Sequence, residues 1–169
     1  MSEIIEALTP AQVEQVRTLF REYQAELPVQ YCFREFDAEI SGLPGEYAPP
    51  KGKLLLSLVA GQPAGCVALR PYPHPGACEM KRLYVRPTFR SAKLGKALAE
   101  RIIAEARGMG YARLRLDTHP PTMQAALQMY RRMGFQEIIP ESEGRVEELL
   151  YMEMTLHTTQ PLEQQIPAR

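Results

Sequence analysis

The stretch Cys78-Glu79-Met80-Lys81-Arg82-Leu83-Tyr84-Val85-Arg86-Pro87-Thr88-Phe89-Arg90-Ser91-Ala92-Lys93-Leu94-Gly95-Lys96 reads as a strand, a tight basic turn and the start of a helix. Pro87 ends the strand, because proline has no N–H to continue a ladder and biases the residue before it away from helix. The helix runs on through Ala97-Leu98-Ala99-Glu100-Arg101-Ile102-Ile103, with apolar Leu94, Leu98 and Ile102 at helical spacing. At such a junction the first N–H groups of the helix lack intrahelical partners and the peptide dipoles gather positive charge, so an anion is the natural occupant. Arg90, Lys93 and Lys96 add three cations at the end where the dipole disfavours them. Read from the sequence, that pattern calls for a bound phosphate group to compensate them.

Charge is local in this chain. Its 169 residues carry no net charge, with 45% apolar and 24% charged residues, the composition of an ordinary globular domain. A neutral protein has little electrostatic support for nucleic acid or an anionic membrane. Between Lys81 and Arg101, however, seven cations stand against one anion, Glu100. Such a patch fits a small polyanion better than DNA. Cys32, Cys66 and Cys78 are widely spaced and form no CxxC pair, so they read as reduced thiols with neither a disulfide framework nor a zinc site. The first residues lack the sustained apolar run of a signal peptide, no stretch reaches transmembrane length, and a cytoplasmic location is expected.

Outward from the junction, strands and helices alternate. A strand is expected over 4–8. Thr9-Pro10-Ala11-Gln12 then forms a capping box before a helix with its stripe at Val13, Val16, Leu19, Phe20 and Tyr23, ending before Pro28. A shorter helix is expected over 35–41, stopped by Gly42 and Pro44, and a hairpin over 53–60 and 64–69 turns at Gly61-Gln62-Pro63. Gly108 and Gly110 stop the central helix. A strand over 111–117 then alternates Leu114 and Leu116 with Arg113, Arg115 and Asp117. Thr118-His119-Pro120-Pro121 opens the last helix, with Met123, Ala126, Leu127 and Tyr130 as its stripe and Gly134 as its cap; strands over 136–140 and 147–156 close the fold. This order gives an α/β layered class, one domain over 1–157 and a mobile tail over 158–169.

At Arg90 to Gly95 the chain resembles the GNAT superfamily of N-acetyltransferases. That family's signature is Arg or Gln, two residues, Gly, one residue, then Gly or Ala, between the fourth strand and the third helix. Arg90 and Gly95 match, and Lys93 stands where the first glycine is usual. Lys93 is read as taking helical angles, donating its N–H and adding a phosphate contact. The run Tyr130-Arg131-Arg132-Met133-Gly134-Phe135 resembles the family's Tyr-x-x-x-Gly-Phe motif. The resemblance implies the GNAT fold, a mixed and mostly antiparallel sheet of about seven strands, splayed between strands 4 and 5 and flanked by about four helices.

The resemblance also implies acetyl-CoA as co-substrate, with no metal. Leu83, Tyr84 and Val85 would meet the pantetheine arm through backbone groups; Arg90, Ser91, Ala92, Lys93, Leu94, Gly95 and Lys96 would hold the pyrophosphate. Tyr130 resembles the family's general acid, and Glu79, by its place in the fourth strand, the general base of part of the family. From the residues alone, Tyr130 reads equally as a core tyrosine with a satisfied hydroxyl, and Glu79 as a partner of Lys81 or Arg82. His119 reads as part of a helix-start turn, Asp117 as a strand-end or cap residue. Tyr31, Phe33, Phe36 and Tyr47 either line the acceptor site or cover the edge of the core. The function expected is acetyl transfer to a primary amine by direct attack, a small molecule being favoured over a protein or peptide. A non-catalytic acyl-CoA sensor, an unrelated phosphate ligand and a homodimer remain open.

Overall fold

Thr9 opens the first helix as its spacing requires: its Oγ1 accepts from the Gln12 N–H at 3.2 Å, and the Gln12 side chain accepts from the Thr9 N–H at 3.0 Å. The computed structural model describes residues 1–27, 35–140 and 145–157, the side chain of Ala92 excepted. The elements are β1 (Ser2–Glu6), α1 (Pro10–Glu26), α2 (Phe36–Ser41), β2 (Lys53–Val59), β3 (Gln62–Pro71), β4 (Ala77–Val85), α3 (Leu94–Gly108), β5 (Arg113–Thr118), α4 (Gln124–Met133), β6 (Gln136–Ile138) and β7 (Leu150–Thr155). A 3₁₀ turn, Pro87–Ala92, joins β4 to α3. Tyr31, Phe33, Cys32 and the tail from Thr158 lie outside the described residues.

The seven strands form one sheet in the order β1-β2-β3-β4-β5-β7-β6. Every neighbouring pair is antiparallel except β4 and β5. Each face carries a core. On one, Leu94, Leu98 and Ile102 of α3 and Leu127 and Tyr130 of α4 pack on Leu69, Met80, Leu114 and Met152; on the other, Val16, Leu19 and Phe20 of α1 and Phe36 and Ile40 of α2 pack on Leu54, Leu56 and Tyr84. The alternation of β5 holds, with Leu114 and Leu116 buried and Arg113, Arg115 and Asp117 half-buried. Gly134 caps α4 with φ 102, and the Phe135 N–H donates to the Tyr130 carbonyl at 3.0 Å.

Several boundaries differ from expectation. β1 begins two residues early, because Ser2–Glu6 is the segment in register with β2, while Leu8 is exposed. The hairpin turns at Ala60 and Gly61, with φ 49 and 77, so Gln62 and Pro63 belong to β3. α4 starts at Gln124, after the turn in which the Met123 N–H donates to the His119 carbonyl at 2.9 Å. Phe36 and Tyr47 are 2% exposed and pack around Phe20, so both belong to the core.

Candidate functional site

β4 loses a partner halfway along. Ala77, Cys78 and Glu79 pair with Arg113, Leu114 and Arg115 of β5, and the pairing ends there. The cause lies on the other side of the strand. Cys66 of β3 pairs with Tyr84 and Ala68 with Lys81, so β4 carries one extra residue across from Val67. A bulge of this kind bends and twists the strand that contains it. Here it falls at Arg82, whose φ is 60. Gly65 serves the same place: a Cβ on it would meet the Tyr84 carbonyl oxygen at 2.6 Å.

The bulge is held from below. Arg82 Nε and Nη2 donate to Glu39 of α2 at 2.8 and 3.1 Å, the Tyr47 hydroxyl donates to the same carboxylate at 2.8 Å, and the guanidinium lies 5.0 Å from the centre of the Phe36 ring. Burial alone would raise the Glu39 carboxyl, but Arg82 overrides that and holds it below its ordinary value.

Where β4 and β5 part, a cleft of about 650 Å³ opens between the β4 edge, the start of α3, the end of α1 and the inner side of α4. Of the residues expected to meet a coenzyme, Leu83, Tyr84, Val85, Arg90, Lys93, Gly95, Lys96 and Tyr130 line it. Ser91 is exposed outside the lining, and Leu94 is buried in the core beneath it. Among the described residues no group of three or more His, Cys, Asp or Glu is placed to hold a metal ion.

The charge pattern differs from its reading in sequence. Six of the seven cations find acids, mostly from distant segments: Lys81 pairs with Glu79 and Asp117, Arg82 with Glu39, Arg86 with Glu22, Arg90 with Glu26, Lys96 with Glu100 and Arg101 with Glu105. Arg90 also donates from Nε to the Val85 carbonyl at 2.9 Å, tying the turn to the end of β4. The corner therefore does not require an external anion for all its cations. Lys93 is the exception, with no acidic partner among the described residues. Its backbone is left-handed, φ 57 and ψ 25, where helical angles were expected. Arg132 of α4, unremarked in the sequence, also lines the cleft without an acidic partner among the described residues.

Tyr130 sits deep in the cleft, 6% exposed, its ring edge-on to Phe135 at 5.7 Å. Its hydroxyl has no hydrogen-bond partner among the described residues and is not among the buried unpartnered polar atoms, so the oxygen is open to the cleft although the ring is in the core. Burial pushes the phenol up, and the charge of Asp117 adds to the push, so the proton stays on oxygen. Glu79 does not line the cleft. Its Oε2 accepts from Arg70 Nε at 3.1 Å and its Oε1 lies 3.4 Å from Lys81 Nζ, so Arg70, not Arg82, joins Lys81 as its partner.

Asp117, read in the sequence as a strand-end or cap residue, is the next-to-last residue of β5 and also part of the lining, with Oδ2 accepting from Lys81 Nζ at 3.2 Å across the gap between the strands. Burial would strip the Lys81 proton, yet Asp117 first and Glu79 next hold the ammonium above its ordinary value. His119 is buried, its Nδ1 2.7 Å from Thr122 Oγ1, and stays out of the lining, as the turn reading expected. The signal for Asp117 was its place on the polar side of an alternating strand; nothing in the sequence said that this side faces a cleft.

A model of the acetyltransferase (GNAT) family matches residues 13–135. An uncharacterised N-acetyltransferase of Schizosaccharomyces pombe is 34% identical over 148 residues, which cover 87% of this chain and 90% of that one. Among solved structures, an acetyltransferase of the GNAT family from Staphylococcus aureus Mu50 is similar with a TM-score of 0.76 at 19% identity, over 93% of this chain and 100% of the other. The PaiA N-acetyltransferase of Thermoplasma acidophilum, solved in complex with coenzyme A, is similar with a TM-score of 0.70 at 19% identity, over 92% and 99%.

Proposed function

Since the chain belongs to the GNAT family of acetyltransferases, we propose that it transfers the acetyl group of acetyl-CoA to a primary amine by direct attack on the thioester, with Tyr130 as the hydrogen-bond donor to the departing sulfur. The observation that carries this reading is the free edge of β4, which opens beyond Glu79 onto the unpartnered Tyr130 hydroxyl.

The residues around the cleft suit acetyl-CoA as substrate. Lys93, Arg132 and the first N–H groups of α3 supply an anion site for the diphosphate. A Cβ on Gly95 would meet only Val85 Cγ2, at 3.9 Å, so nothing in the free protein demands glycine there; close approach of a phosphate does. The edge of β4 at Leu83 and Val85 offers backbone groups to an extended pantetheine arm as to an added strand. The volume is that of a small-molecule site, as a coenzyme cleft requires.

An acceptor arrives as an ammonium ion and must lose a proton before its lone pair can attack. Attack forms the C–N bond, puts negative charge on the thioester oxygen, where a preorganised N–H would stabilise it, and then breaks the C–S bond. A phenol pushed up by burial holds its proton firmly, so Tyr130 serves the developing thiolate by hydrogen bonding as the bond breaks, and the second amine proton completes the thiol.

Acetyl-CoA at a hundred times its Kd is expected to stabilise the native state by about 2.7 kcal/mol, which in a chain of this length raises the melting temperature by roughly 5–10 °C. No shift at millimolar acetyl-CoA would end the reading. With an acceptor found by screening amines for release of free thiol, Tyr130→Phe is expected to lower kcat by about 10²–10⁴ while leaving the acetyl-CoA shift intact. An unchanged kcat removes Tyr130 from the mechanism.

A further inference from the structure

Glu79 is the carboxylate that its strand position singles out, yet both its oxygens are engaged, one by Arg70 and one by Lys81, and it does not line the cleft. Asp117 lines the cleft together with Tyr130, and only one of its oxygens is engaged. Oδ2 accepts from Lys81 Nζ at 3.2 Å, and Oδ1 has no partner among the described residues. The two acids are joined through one buried ammonium, in the sequence Arg70, Glu79, Lys81, Asp117, with Asp117 at the cleft end.

Resting on the acetyl-transfer reading, we propose that Asp117, not Glu79, is the carboxylate that binds the acceptor's ammonium group and takes its proton. The free Oδ1 receives an N–H of the acceptor, while Lys81 stays on Oδ2 and keeps the carboxylate in place. Lys81 has a second effect, because a cation beside the acceptor ammonium disfavours its charged form and so promotes proton loss. The proton balance closes. One ammonium proton passes to Asp117 and on to solvent, the neutral amine forms the C–N bond, the C–S bond breaks while Tyr130 hydrogen-bonds the departing sulfur, and the second amine proton completes the thiol. Glu79 is a positioning residue in this scheme, with Arg70 fixing it and Lys81 transmitting its charge.

The ionisable groups around Asp117 on the elements packed against it include Lys81 and Glu79 on β4, Tyr130 and Arg132 on α4, and Tyr151 and Glu153 on β7, while Arg82 and Tyr84 of β4 line the same cleft, Arg82 being held by Glu39. Glu153 is held by Arg115 at 2.6 Å, and the Tyr151 hydroxyl accepts from the Val146 N–H at 3.1 Å. Neither offers a free carboxylate to the cleft.

Two coenzyme thioethers of equal shape test the proposal without knowledge of the acceptor: S-(2-aminoethyl)-coenzyme A, which carries an ammonium next to the sulfur, and S-propyl-coenzyme A, which does not. Titration calorimetry is expected to show the aminoethyl compound binding the wild-type protein about tenfold more tightly. The preference should vanish in Asp117→Asn and survive in Glu79→Gln, with both variants keeping wild-type affinity for the propyl compound. An equal affinity of the wild type for the two compounds, or a preference that survives Asp117→Asn, overturns the assignment. Failure of the wild type to bind either compound overturns the coenzyme reading itself, and is distinguishable for that reason. Should Asp117→Asn fold poorly, Lys81→Met probes the same carboxylate from the other side: freeing Oδ2 should widen the preference, and a preference left unchanged or narrowed counts against Asp117.

Discussion

Two walls of the cleft each contain a residue other than glycine in the left-handed region, Arg82 in the β4 bulge and Lys93 at the entrance to α3, with φ of 60 and 57. Each such backbone costs about 1–3 kcal/mol. At Arg82 the surroundings offset it. The side chain is buried, doubly bonded to Glu39 and laid over Phe36, so packing dictates the backbone. At Lys93 they do not. The side chain is exposed, makes no cap and has no acidic partner among the described residues. The same conformation is thus an element of the fold in one wall and a feature of the site in the other, where the compensating interaction is left to a ligand.

The largest effect is expected on the bulge side. Glu39→Ala removes the carboxylate that grips a buried guanidinium, a class of change that costs about 3–5 kcal/mol, read by urea denaturation at neutral pH. The pH dependence gives the sign. Burial acting alone would raise the Glu39 carboxyl, but Arg82 takes it down from 4.5 in the fold. A carboxyl lowered in the native state contributes stability above its unfolded value and loses that contribution as pH falls through the folded one. The gap between wild type and Glu39→Ala should therefore be full at neutral pH and close as the pH drops below about 4.5. A gap of equal size at neutral and at acid pH would mean that the ion pair is not what holds the bulge, and the contrast between the two walls would fail.

The sequence shows these two walls unequally. Local signals carried well: the Thr9 capping box, the stripes of α1 and α3, the alternation of β5 and the Gly134 cap each depend on residues a few positions apart, and each is present. What depends on distant residues was hidden. Counting charges between Lys81 and Arg101 finds one acid, whereas Glu22 and Glu26 of α1, 64 positions from Arg86 and Arg90, neutralise them in the fold. The bulge gave no sign either, since no glycine marks Arg82 and the extra residue exists only relative to β3. Tyr130 was visible through its motif, and its ring does belong to the core, but whether its hydroxyl opens onto a cleft was not legible there. That is a property of the space around it, as is the opening of Asp117 onto the cleft.

The smaller effect is expected at Lys93, and it sharpens the contrast. Lys93→Gly keeps the turn but removes the Cβ, which the left-handed region penalises by about 1–2 kcal/mol. The freer unfolded chain takes back about 0.4–1 kcal/mol, so the net stabilisation should be about 0.8 kcal/mol. Lys93→Ala removes the ammonium and keeps the strain, so it should stay close to wild type. Both variants lose the same cation beside the α3 N–H groups, and both should bind acetyl-CoA more weakly by the same factor at low ionic strength, with the loss shrinking as salt screens the charge. Strain and charge are thereby separated, because stability distinguishes glycine from alanine while affinity does not. If glycine proves no more stable than alanine, the left-handed backbone at Lys93 is already compensated within the free protein, and the entrance to α3 is built like the bulge after all.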